Sequence, residues 1–145
     1  MKKNIAMLTT LLLSAILFSG FAQAHCQIPC GIYDDETRMT LIYEHIATIE
    51  KSMNMITQLE NEKNANQLVR WVMNKDKHAE FIQEIVTEYF MAQRIKFDAQ
   101  NYDQKLKALH EMLFYSMKCK QTTDLGNVEK LKKSAQRFHD LYFTS

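Results

Sequence analysis

Proline and glycine are nearly absent from this chain of 145 residues: one proline, Pro29, and three glycines, of which only Gly126 follows Asp34. Beyond Asp34, therefore, almost nothing interrupts a helix. No apolar run approaches the roughly 20 residues needed to span a bilayer. The longest, Ile5 to Phe18, has 14 residues. Charge of one sign is also missing, since 18 basic side chains face 17 acidic ones with no clustered basic face, which argues against nucleic-acid binding. At this length one domain with a single core is expected.

The amino terminus reads as a processing segment. Met1-Lys2-Lys3 is a short positive region, the apolar run follows, and Ala22-Gln23-Ala24 has the A-x-A form of a cleavage box. Residues 1–24 are thus expected to be a signal peptide that is removed, leaving an exported chain, periplasmic or secreted, with no membrane segment in the mature form. A lipid-anchored cysteine is not favoured, because Gln23-Ala24-His25 precede Cys26 where a small-residue box would be required. Removal of Lys2 and Lys3 brings the net charge near −1.

Apolar spacing fixes the fold class. Met39, Ile42, Ile46, Ile49, Met53 and Ile56 step by three and four, as in the seam of a helix packed at a shallow angle on its neighbours. That helix is predicted to end near Leu59, before the polar stretch 60–64. A second begins near Ala65 and carries Leu68, Val72, Phe81, Ile82, Ile85, Val86, Tyr89 and Phe90. It reads as one long helix, although Asn74-Lys75-Asp76-Lys77 is a place for it to bend or split. The third covers about 102–119 with Tyr102, Leu106, Leu109, Leu113 and Met117 on one stripe. The fourth opens at Asp124 as N-cap and follows Val128, Leu131, Ala135, Phe138 and Tyr142. Four amphipathic helices with short polar links predict an all-α, antiparallel four-helix bundle over residues 36–143. Methionines and aromatics on the stripes are assigned to the core.

Most of the unusual residues lie ahead of that bundle. If cleavage follows Ala24, His25 becomes the first residue, and an α-amino group, an imidazole and the thiols of Cys26 and Cys30 fall within six residues. An α-amine has a reference pKa of about 7.7–8.0 and yields its proton to a metal more readily than a lysine does. The amine, a deprotonated second amide and the thiol of Cys26 would form fused chelate rings in a plane, with Cys30 supplying a fourth corner after Pro29. Planar nitrogen and sulfur donors suit nickel or copper, whereas zinc with thiolates prefers a tetrahedron. A small Cys26–Cys30 disulfide loop in an exported helical binding module is the plain alternative, and a tetrahedral zinc site is a third. The odd cysteine count leaves Cys119, near a helix end, as a semi-buried thiol.

These residues carry a resemblance. His25-Cys26-x-x-Pro29-Cys30-Gly31-x-Tyr33 resembles the metal-binding hook of the nickel-containing superoxide dismutases, and residues 66–73 and 117–121 are similar to segments of one branch of that family. The resemblance implies a hook at 25–33 on a helical bundle, a nickel ion as cofactor, and superoxide as substrate. It implies that the His25 amine, the Cys26 amide and the Cys26 and Cys30 thiolates hold nickel, with the His25 imidazole axial in the oxidised state. Nickel would then alternate between Ni(II) and Ni(III), converting superoxide to dioxygen and hydrogen peroxide. Tyr33 would stand beside the open face of the metal, and Pro29 would shape the turn. Glu44 is the candidate for orienting the axial histidine. At His78-Ala79-Glu80 this chain offers a histidine where other members have an arginine supporting that glutamate. Homohexamers are the family's assembly.

Two expectations complete the reading. A non-catalytic exported carrier of nickel or copper, using the same N-terminal ligands, is the alternative function. His45, His110 and His139 are assigned surface or packing roles, since none has an acidic or thiol partner at ligand spacing in the sequence.

Overall fold

The computed structural model describes residues 34–62 and 64–144. All lie in one compact unit. The expected hook at 25–33, with the leader ahead of it, falls outside the described residues. Four helices carry the described residues: α1 (Asp35–Glu62), α2 (Ala65–Glu84) running directly into a π-helical segment, π1 (Ile85–Arg94), then α3 (Tyr102–Gln121) and α4 (Leu125–Phe143). Each helix packs on its neighbours in the chain, and α4 returns against α1 to close the bundle. No strand occurs among the described residues. None of their helices is long and apolar enough to cross a membrane.

Local chemistry accounts for the helix starts. Asp34 Oδ1 accepts from the Glu36 amide at 2.9 Å, Asn64 Oδ1 from Gln67 at 3.3 Å, and Asp124 Oδ1 from Gly126 at 2.9 Å, so three of the four starts have a side chain satisfying an otherwise orphaned donor. The expected N-cap at Asp124 is therefore present. The stripes on α1 and α4 are buried as the spacing predicts, from Met39 to Leu59 and from Val128 to Phe138.

Two details differ from the sequence reading. The core stripe of α3 is Lys105, Ala108, Leu109, Met112, Ser116 and Cys119, which turns Met117 outward and leaves Tyr102, Leu106 and Leu113 half-buried. Small residues at 108 and 116 let α3 approach its neighbours closely. Lys105 lies in the stripe because its stem packs inward while its ammonium sits 5.6 Å from the Tyr142 ring. On α2, Val72 is exposed although the spacing placed it inside.

The polar patch at 74–77 does not split α2, which runs unbroken from Ala65 to Glu84. Lys75 is 3% exposed, and its ammonium donates to the carbonyls of Cys119 and Lys120 at 2.7 Å each and to Asp76 Oδ1 at 2.8 Å. All three of its donors are used. Two carbonyls in the last turn of α3, which have no partner within their own helix, thereby gain a cation at the negative end of the helix dipole. Asn74 adds a 3.0 Å bond to Ser52 on α1. The patch is the polar contact that locks α2 against α3 and α1.

Candidate metal centre

The start of α1 and the ends of π1 and α4 meet at one carboxylate. Asp35 Oδ1 accepts from the Tyr89 hydroxyl and from Arg94 Nε at 2.9 Å, and Oδ2 accepts from the Tyr142 hydroxyl at 2.8 Å. Arg94 Nη2 also donates to the Tyr89 oxygen at 2.8 Å, and the guanidinium groups of Arg94 and Arg38 lie 4.7 and 5.2 Å from the Tyr89 ring centroid. Burial alone would raise the Asp35 carboxyl. The hydrogen bonds from Tyr89, Tyr142 and Arg94, with Arg94's charge, outweigh burial and hold it below the usual carboxylate range. Burial and the same carboxylate push the Tyr89 and Tyr142 hydroxyls upward.

The π winding helps build this cluster. With about 100° per residue, an α-helix would turn residue 94 roughly 140° away from residue 89. The wider winding through 85–94, continued by the Ile95 amide bond to Phe90 O at 3.0 Å, brings Tyr89 and Arg94 onto one face. Beneath them Phe90, Phe138 and Tyr142 pack ring against ring at 4.8 to 5.6 Å. Sequence reasoning took Tyr89 and Tyr142 as core and missed Asp35 and Arg94. An acidic first turn was the only local signal, and its partners lie 54 to 107 residues away.

The histidines are arranged differently from the expectation. His78 Nδ1 faces His45 Nδ1 at 3.0 Å, and Phe81 lies against both rings. Glu44 is exposed, and no hydrogen bond or ion pair joins its carboxylate to His78 or to any other described residue. It acts on His45 only as a nearby charge. Thus the bundle gives His78 a histidine partner. His139 has acidic neighbours after all, Glu36 at 3.4 Å and Asp140 at 3.7 Å, supplied by the fold and by the next residue. His110 is exposed.

Cys119 is set apart from metal chemistry. It is fully buried, and burial pushes its thiol up to about 11, an effect that Lys75's charge only partly offsets. Among the described residues, no group of three His, Cys, Asp or Glu side chains could hold a metal ion. His25, Cys26, Pro29, Cys30 and Tyr33 lie outside those residues.

Comparison with known proteins supplies the identity. Residues 21–145 match the family described as nickel-containing superoxide dismutase. The chain belongs to that family. No curated protein and no solved structure matches it. Family membership makes the chain a superoxide dismutase, an oxidoreductase that contains nickel and acts on superoxide, and it does not favour the carrier reading. The imidazole of His25 and the thiols of Cys26 and Cys30 are nitrogen and sulfur donors chemically suited to that nickel, and cleavage before His25 would add an amine.

Proposed function

We propose that the nickel of this superoxide dismutase is held by the amino terminus that cleavage before His25 exposes, with the His25 amine and imidazole, the Cys26 amide and thiolate, and the Cys30 thiolate as donors. One observation carries the reading. The family match over residues 21–145 spans His25, Cys26 and Cys30, whose imidazole and two thiols within six residues are the nitrogen and sulfur donors that suit nickel. The third cysteine is a buried thiol that stays protonated at neutral pH, so it offers no competing thiolate.

When bound, nickel supplies one-electron chemistry between Ni(II) and Ni(III), oxidising one superoxide to dioxygen and reducing a second to hydrogen peroxide with uptake of two protons. The protein's task is to make that couple reachable through anionic sulfur and amide donors, and to shield the thiolates from the peroxide produced. Tyr33 would order water beside the metal and Pro29 would shape the turn between Cys26 and Cys30, while Glu44 and His78 would act on His25 only from its surroundings, since His78 pairs with His45 in the bundle.

The same reading makes residues 1–24 an export signal, so that the enzyme acts in the periplasm or outside the cell. It also gives a homo-oligomer, hexameric as in the family. Val69 and Met73, one turn apart on α2, are 56% and 67% exposed and offer an apolar pair for association.

Intact mass, amino-terminal sequencing and sulfur-edge spectroscopy of the exported holoprotein test the proposal together. A chain starting at His25 with sulfur–nickel bonding is expected. Residues retained ahead of His25 in active enzyme, or nickel without sulfur ligands, would overturn it.

A further inference from the structure

We infer that His45 and His78 form a metal site with a ligand set of their own, in which both Nδ1 atoms bind one divalent first-row ion and clip α1 to α2. Every residue the site uses lies in the described bundle, so it stands independently of the hook. A histidine on a helix ordinarily packs or meets solvent, and a single ring meets either role. Here two rings from different helices turn the same nitrogen toward one another, 3.0 Å apart, with their planes at 73°. Phe81 lies against both, its centroid 5.2 Å from His45 and 5.7 Å from His78, and so holds the pair in place.

Spacing, protonation and access all suit an ion. Metal–imidazole bonds of about 2.0–2.1 Å put two nitrogens about 2.9 Å apart at a right angle and about 3.3 Å apart at the tetrahedral angle. The observed separation falls between them. Burial, aided at His45 by the opposing ring, holds both histidines below their usual pKa, so both are neutral at pH 7 and neither must first release a proton to solvent. The proton between the two Nδ1 atoms passes to Nε2 of the ring that carries it, a change of tautomer that frees both lone pairs. Both side chains are half-buried rather than sealed, so an ion can enter and water can fill the positions that two protein donors leave open. Glu44 adds a negative charge near His45, while Lys77 directs its ammonium to Glu80 at 3.5 Å. Imidazole nitrogen suits zinc, copper and nickel rather than calcium or magnesium.

The test uses the full chain loaded with one equivalent of nickel and then equilibrated with zinc. Zinc is the probe because copper, higher in the affinity order, would compete for the cysteines. Elemental analysis counts zinc beyond the retained nickel, and zinc-edge absorption reports its donors. One zinc per chain, bound by nitrogen and oxygen with imidazole scattering and no sulfur, is expected. His45→Gln and His78→Gln, each checked for folding by far-UV circular dichroism, should each weaken zinc binding by at least about tenfold, the lower end for loss of metal support. His110→Gln, at an exposed position, should leave it unchanged. Zinc should also raise the thermal midpoint of the wild type and not of the His45 and His78 variants, because an ion that binds only the folded bundle stabilises it. If one of those two variants fails to fold, the other decides alone. No zinc beyond the nickel, zinc bound through sulfur, or wild-type affinity in a folded His45 or His78 variant overturns the inference. The hook is judged separately, by sulfur–nickel bonding in the same protein before zinc is added.

Discussion

His45 on α1 and His78 on α2 face one another through their Nδ1 atoms at 3.0 Å. A hydrogen bond between two imidazoles requires that one nitrogen donate and the other accept, so at least one ring must be neutral. Burial first, and then the charge of the opposing His78, lower the pKa of His45, against a smaller opposing effect of Glu44; burial lowers that of His78.

The pair therefore predicts a loss of stability in mild acid. Both folded-state pKa values lie below the unfolded reference of about 6.5, so below that pH the unfolded chain binds more protons than the folded one. Stability from the pair is complete above about pH 6.5, declines as pH falls toward the lowered folded values, and then levels. Thermal unfolding of the nickel-free chain between pH 7.5 and 5 should show this decline. Nickel-free protein is needed because metal binding has its own pH dependence. The double variant His45→Gln, His78→Gln should lose the decline; an unchanged slope would remove the pair from the explanation.

Lys75→Met should be among the most destabilising changes in the scaffold. Methionine fills much the same space but leaves the Cys119 and Lys120 carbonyls without their donor and Asp76 without its cation. Losing hydrogen bonds to a buried charge predicts a cost of about 2–4 kcal/mol by chemical denaturation. Lys75→Arg should recover little of it, since a planar guanidinium cannot reproduce three donors diverging from one nitrogen. A cost below about 0.5 kcal/mol for Lys75→Met would mean that water replaces the ammonium there.

The three cysteines should separate by reactivity. With its thiol at about 11, Cys119 is thiolate to only about one part in a thousand at pH 8, and it is fully buried. Reduced, nickel-free, folded protein should accept two equivalents of a maleimide rapidly and the third only with unfolding, as read by intact mass. Fast uptake of a third equivalent without unfolding would show that α3 opens locally around Cys119.

The sequence exposed the scaffold more fully than the tertiary polar contacts. The steps of three and four on α1 and α4 are local facts, and they placed those cores correctly. On α3 the same reasoning followed the largest apolar residues and pointed to Met117, while close packing buries Ala108, Ser116 and the stem of Lys105. Lys75, His78 and Asp35 each depend on a partner 33 or more residues away, and nothing in the neighbouring sequence announces it. The π segment was also illegible, since nothing in the local pattern of residues 85–94 distinguishes a wider winding from an ordinary α-helical one. By contrast, the donor set at 25–30 is contiguous, so its chemistry can be read without any fold.

On the proposed hook, one extra residue ahead of His25 in the cleaved chain should be enough to disarm the enzyme. An added methionine, for example, turns the His25 amine into an amide, a donor that must lose a much more tightly held proton before it can bind metal. It also moves the free amine one residue further from Cys26, which breaks the small chelate ring. Helix formation depends on the stripes from Met39 to Phe138 and on caps at Asp34, Asn64 and Asp124, none of which is touched. The extended protein should show wild-type circular dichroism, no sulfur-to-nickel band at equimolar nickel, and dismutation lowered by at least about 100-fold, the upper end for loss of metal support. Alkylation by iodoacetamide at pH 8 should then be as rapid in the presence of nickel as in its absence, because free thiolates carry that reactivity. An extended chain that still protects Cys26 and Cys30 with one equivalent of nickel would show that the terminal amine is dispensable, and the ligand set would have to be drawn from the thiolates and imidazole alone.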